Sequence, residues 1–323
     1  MTPADLPRRA LRGARRRVNR AIALRRPPVP LDAPSARMPV VFVGGTGRSG
    51  TTVTGRIIGA HPRHALVKVE AKFISARGGL CDLALGATDI DVFENRILGR
   101  WFRPRLEGGL FRIMDEEPIR AALPALRERV GSEPWLAAAA FAHALLDPIA
   151  AAAGAEAWVE MDPGNIFRGD ELLRMFPNMR LVHSVRDGRD VAASVTPLPW
   201  GPNDLDAALD WWADKLDRAF DASDRLPADR ILVVQMENLI SRDRDAQYAR
   251  LRDFLGRDDD PAMRAWFDEH VSETRSHIGR WRNDVPADRI ASFVAHHERL
   301  AADLRARRRP YVPVAEEAAL VPA

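Results

Sequence analysis

Cysteine occurs once among the 323 residues, at position 81. A single thiol excludes an internal disulfide framework and a cysteine-rich zinc site. Lysine occurs only three times (Lys68, Lys72, Lys215), against 45 arginines. Such a bias suggests a GC-rich coding source and hence a bacterial origin. No uninterrupted apolar run reaches the ~18 residues expected of a membrane-crossing helix. What remains is 46% apolar and 29% charged, a composition able to bury a substantial core.

The net charge of +3 conceals an asymmetry. Residues 1–37 carry ten arginines against Asp5 and Asp32, a local charge of +8, so residues 38–323 sum to −5. The segment contains Arg8-Arg9 but lacks the apolar core of a secretory signal, and its prolines (Pro27, Pro28, Pro30, Pro34) suggest an extended, flexible arm. Aromatic residues are absent there, which argues against a nucleic-acid partner. An anionic membrane face or an acidic partner is the better-matched surface. The expectation is a basic arm over 1–37, a single domain over 38–323, and a cytoplasmic location with peripheral membrane contact through the arm. Nothing in the sequence indicates an oligomeric state.

Val40-Val41-Phe42-Val43 is a short β-branched run that ends in glycines, and it reads as a buried parallel strand. Further strands are expected at Ala65–Val69, Ala157–Glu160, Arg180–Val185 and Ile231–Val234. Helices are expected at 51–60, 132–153, 169–176, from 189, and around 241–255, 261–271 and 287–308. Leu205, Leu209, Trp212, Leu216 and Phe220 recur at helical spacing as a core stripe. Alternating strands and helices imply a three-layer α/β fold, a mostly parallel sheet covered on both faces. Residues 76–155 carry weak signals, and Trp101, Phe102, Arg103, Arg105 and Trp200 are only candidate pocket linings.

Between the first strand and first helix lies Val43-Gly44-Gly45-Thr46-Gly47-Arg48-Ser49-Gly50-Thr51-Thr52. Glycines allow a tight turn that brings backbone N–H groups to an anion, and the helix N-terminus adds a partial positive charge. The loop therefore predicts phosphate or sulfate binding. Three readings fit it. Gly45, Gly47 and Gly50 match a dinucleotide fingerprint, with Glu70 twenty residues beyond. Gly45 and Gly50 also have nucleotide-kinase spacing, but Thr51 stands where the kinase lysine belongs. The third reading is sulfuryl transfer, in which the transferred group carries less charge and an arginine with hydroxyls can suffice without metal.

A second anion motif separates these readings. Strand Leu181–Val185 runs into Arg186-Asp187-Gly188-Arg189-Asp190-Val191-Ala192-Ala193-Ser194. The fork of Arg186 and the hydroxyl of Ser194, eight residues on, can meet on one phosphate. Arg189 is expected to pair with an acid or cap the helix. A third motif, Ser276-His277-Ile278-Gly279-Arg280-Trp281-Arg282, precedes the last helix.

Gly47–Thr52 followed by Ala60-His61-Pro62 resembles the first nucleotide motif of sulfotransferases that use 3′-phosphoadenosine 5′-phosphosulfate (PAPS), in particular the Golgi-type and bacterial members. Arg186 and Ser194 stand at the positions of that family's 3′-phosphate motif, and Gly279-Arg280-Trp281 resembles its C-terminal nucleotide loop. The resemblance spans residues 43–282. It implies a P-loop NTPase-like sulfotransferase fold with helical insertions, PAPS as donor, PAP as product, and no metal. It further implies donor binding by Gly47, Arg48, Ser49, Gly50, Thr51, Thr52, Arg186, Ser194, Arg280 and Trp281, with Arg48 also acting on the sulfuryl group. Glu70-Ala71-Lys72-Phe73 resembles the segment that carries the family's base. Glu70 is thus the expected general base, and Lys72 a candidate acceptor contact. His61 and His64 are weaker alternatives as base. The chain departs from the family at Met161-Asp162-Pro163, where many relatives have lysine in place of methionine. The acceptor is expected to be a hydroxyl (or amine) of a carbohydrate, lipid-linked or other small molecule. The departure also leaves open a PAP-binding protein without catalysis.

Overall fold

The computed structural model describes residues 38–104, 108–307 and 309. The basic arm and Arg105 lie outside the described residues.

Five strands form one parallel sheet: β1 (Val40–Gly45), β2 (His64–Leu66), β3 (Ala157–Glu160), β4 (Arg180–Val185) and β5 (Ile231–Gln235), in the order β2-β3-β1-β4-β5. The register pairs Phe42 with Glu160 on one side of β1 and with Leu181 on the other. Thirteen helices among the described residues cover the sheet. They are α1 (Thr51–Gly59), α2 (Lys72–Ser75), α3 (Leu80–Ala84), α4 (Ile90–Leu98), α5 (Glu116–Arg129), α6 (Pro134–Ala152), α7 (Gly169–Met175), α8 (Gly188–Val195), α9 (Leu205–Ser223), α10 (Arg244–Leu255), α11 (Pro261–His270), α12 (Trp281–Asp284) and α13 (Ile290–Ala306). Short 3₁₀ turns include Pro163–Arg168, and a π-helical turn occupies Asn238–Arg242.

All six residues of β1 are buried, because both faces of the sheet are covered and side chains alternate between them. Val40 and Phe42 join a core with Trp158, Leu181 and helices α2–α7. Val41 and Val43 join Val159, Val182, Val234 and α1, α10 and α11 on the opposite face. Phe42 meets Trp158 edge-on at 5.7 Å and Phe176 at 5.4 Å, which locks the central strand to its neighbours.

Two expectations need correction. The second strand covers His64–Leu66 rather than Ala65–Val69. Val67 still donates to the Val159 carbonyl, but β3 ends at Glu160 and the chain beyond Val67 has no strand to pair with. Residues 76–155 hold α3, α4 and α5, which the sequence signals did not resolve. Helix α6 is long and apolar enough by composition to cross a membrane. It is nevertheless a core helix, with Trp135, Phe141, Leu145 and Leu146 buried in the first core.

The order of the strands places a topological switch between β1 and β4. The chain leaves β1 toward β2 on one side, while β4 returns on the other. A crevice opens at the C-terminal ends of β1 and β4, where ligands of open α/β sheets bind.

Candidate active site

The glycine loop between β1 and α1 is built by backbone geometry. Gly47 and Gly50 adopt φ of 91° and 90°, and Arg48 is the only non-glycine residue with positive φ among the described residues, at 58°. Strained backbone of this kind concentrates at functional sites. A Cβ at Gly50 would lie 2.5 Å from the Met236 Sδ. Gly50→Ala is therefore expected to destabilise the protein by more than about 1 kcal/mol, because the native turn is incompatible with alanine. Urea unfolding checks this; an unchanged midpoint would show that the turn does not require glycine.

Helix α1 begins without a side-chain cap and with no acid in its first turn. Its N-terminal N–H groups are thus left for an anion. Gly47, Arg48, Gly50, Thr51 and Thr52 line a cavity of about 340 Å³ that also receives Glu70, Arg186, Trp200, Met236, Ile240 and the stretch 270–272 and 275–278. Ser49 is the exception in the loop: it is fully buried, packs beneath Gly45, and does not line the cavity.

Arg48, Arg186 and His277 also border a second, adjoining cavity, lined in addition by Asp190, Ser194, Arg280 and Trp281. Arg48 Nε donates to Ser194 Oγ at 2.8 Å, joining the first and second sequence motifs across 146 residues. Arg186 is 13% exposed, and its guanidinium donates to the carbonyls of Arg48 and His277. The three motifs thus converge on one place.

Asp190 holds this convergence together, a role the sequence did not reveal. One carboxylate oxygen accepts from Gly279 N at 2.9 Å and lies 3.4 Å from Arg186; the other accepts from Trp281 N at 3.2 Å. Burial raises the Asp190 carboxyl above its ordinary value, against the opposing pull of Arg186. Arg189 pairs with Asp187 through Nε at 3.0 Å and Nη2 at 2.6 Å, and Asp187 caps α8. Trp281 is 5% exposed, with the Arg189 and Arg282 guanidiniums 4.8 and 4.6 Å from its ring centre. Its first service is packing, and only its margin reaches the second cavity. Arg280 extends into solvent, paired with Asp284 at 2.8 Å.

Glu70 is 42% exposed at the mouth of the first cavity and pairs with Lys72 at 3.1 Å. Its backbone is fixed from below. Glu160, fully buried, accepts from Ala71 N at 2.8 Å, from Asp162 N at 3.0 Å and from the Asn165 amide. Burial and the neighbouring Asp162 push the Glu160 carboxyl up. Asp162 is pushed up to about 6 by burial and by Glu70. His61 and His64 lie buried at the far end of α1, outside both cavities, with Asp258 and Arg257 as neighbours. Met161 points away from the site into the second core, where its sulfur packs against Gly55.

Glu237 lies behind the Arg186–Ser194 segment. It accepts from Asp187 N at 2.9 Å, while its Oε2 is buried without a hydrogen-bond partner. Burial, then the Asp187 charge, pushes it up to about 7. A carboxyl raised on folding stabilises the fold at low pH, and that contribution is lost as pH rises through the folded value. The melting temperature should therefore fall between pH 5 and pH 8, and Glu237→Gln should flatten the decline. An equally steep decline in the variant would remove Glu237 as its source.

The fold and site define an α/β protein with a P-loop-like fold, whose glycine loop opens on a cavity at the switch point of its sheet. The chain belongs to the sulfotransferase family, whose model matches residues 39–261. Among solved structures it is similar to the sulfotransferase domain of the curacin biosynthetic pathway, at 16% identity and a TM-score of 0.51, covering 84% of this chain and 99% of that one. It is also similar to the sulfotransferase domain of the Synechococcus PCC 7002 olefin synthase, at 20% identity and a TM-score of 0.50, covering 83% and 97%. A sulfotransferase from Mycobacterium tuberculosis H37Rv matches at 18% identity with a TM-score of 0.45, covering 73% and 72%. No curated protein matches the chain in sequence.

Proposed function

We propose that the protein transfers a sulfuryl group from PAPS to a hydroxyl (or amine) of a small, carbohydrate or lipid-linked acceptor, with Glu70 as general base. The observation that carries this reading is the hydrogen bond that joins the loop at Arg48 to the motif of Arg186 and Ser194, on two adjoining cavities. A donor with a 5′-phosphosulfate and a 3′-phosphate calls for that pair, whereas neither a dinucleotide nor a nucleoside triphosphate does.

The adenosine 5′-phosphosulfate moiety is assigned to the α1 N-terminus and Arg48, and the 3′-phosphate to Arg186 and Ser194. Arg48 and the loop N–H groups face the charge that develops on the sulfuryl oxygens and the leaving phosphate. The acceptor oxygen attacks sulfur in line as Glu70 removes its proton. The S–O bond to the nucleotide breaks, and PAP leaves. Lys72 holds the Glu70 carboxylate in place through their ion pair until the acceptor arrives.

Incubation with ³⁵S-labelled PAPS and pooled acceptor classes, with EDTA present, tests the reaction. The expected result is labelled product that does not depend on divalent metal. The buried Met161 favours a second reading, a PAP-binding protein without turnover; it would bind PAP and label none of the pools.

A further inference from the structure

Arginines outnumber lysines 45 to three in this chain, yet two of the three lysines, Lys72 and Lys215, both act electrostatically on Asp162. Lys215 lies on α9 and is partly buried. It makes no ion pair within 4 Å among the described residues. Instead its ammonium rests 4.3 Å from the ring centre of Trp211 and 5.8 Å from that of Phe167. Trp211 in turn lies against the glycine loop, since a Cβ at Gly47 would sit 3.7 Å from its Cη2. Trp211 also neighbours Trp200, with ring centres 6.3 Å apart. Trp200 is 56% exposed and lines the first cavity.

Asp214 and Asp162 act on this partly buried ammonium only from beyond ion-pair distance, and such a charge is costly to bury. Burial and Arg218 already lower its proton affinity below that of an ordinary lysine. Its compact charge and aromatic backing suit an incoming anion. We propose that Lys215, with Trp200 and Trp211, forms an acceptor subsite for a ring-bearing molecule that carries an anionic group. The indoles take the ring, and Lys215 takes the carboxylate or phosphate. The subsite rests on the sulfotransferase reading for its purpose.

The test is a titration followed by tryptophan fluorescence, run with and without PAP. The probes are 4-hydroxyphenylacetate and its neutral counterpart 4-hydroxyphenylethanol. Wild type should bind the anionic probe about tenfold more tightly. Lys215→Met and Lys215→Gln should lose that preference while PAP affinity is unchanged, which also shows that the variants fold. Equal binding of the two probes by wild type, no binding of either, or a preference that survives in both variants would overturn the subsite. Failure of wild type to bind PAP would instead strike the sulfotransferase reading, because the probe preference is measured separately.

Discussion

Glu70→Gln should lower kcat by about 10²–10⁴-fold, the range that general acid–base catalysis contributes, while PAP affinity stays nearly unchanged. Glutamine keeps the size and the hydrogen-bonding reach of the side chain but cannot accept the acceptor's proton. The backbone of the segment does not depend on the carboxylate, because Ala71 is anchored by Glu160. A loss of turnover therefore reports the base and not the scaffold. The competing candidate is Asp162, which is pushed up to about 6 and is electrostatically linked to Glu70. It is buried and already accepts from Gly164 N at 2.6 Å, where it caps the Pro163–Arg168 turn. Asp162→Asn should consequently affect stability more than the chemical step. An unchanged rate in Glu70→Gln would remove Glu70 as base. Single-turnover kinetics with saturating PAPS separates the two carboxylates.

Arg186→Ala should weaken PAP by about 100-fold, ~2.7 kcal/mol, the scale of charge-assisted hydrogen bonds to a phosphate. Adenosine 5′-phosphosulfate, which has no 3′-phosphate, should lose much less. Some loss is expected for both ligands, because Arg186 also holds the Arg48 and His277 carbonyls. The difference between the two ligands, measured by calorimetry, isolates the phosphate contact. Equal losses would reassign Arg186 to a purely structural role.

Much of this was legible in the sequence, for identifiable reasons. Strands β3 and β4 cover the expected ranges, because the sheet is buried on both faces and the short apolar stretches Ala157–Val159 and Leu181-Val182 mark their positions. The end of β2 was misplaced because Val67, Val69 and Ala71 continue to be buried while Lys68 and Glu70 are exposed. That alternation mimics a strand, although no partner strand extends alongside it. Helices α2 and α3 were missed because they span four and five residues, too short for a helical period to show. In α5, Pro124 lies inside the helix.

The site divided in the same way. Arg48, Arg186 and Ser194 sit in contiguous motifs whose local chemistry is readable, and the fold brings them together. Asp190 was hidden because, within Arg-Asp-Gly-Arg-Asp, an aspartate reads as the partner of an adjacent arginine. Its bonds to Gly279 and Trp281 cross about ninety residues. Ser49 belongs to the motif, but the positive φ of its neighbours turns it inward. Lys215 stood beside a helical core stripe that explained the helix without it.

The most direct test of the account is a calorimetric titration of the wild-type protein with PAP in the presence of EDTA. It predicts one binding site per chain with a Kd of about 1 μM or tighter, equivalent to roughly −8 kcal/mol. An absence of binding at millimolar PAP, or binding that appears only when divalent metal is restored, would contradict it.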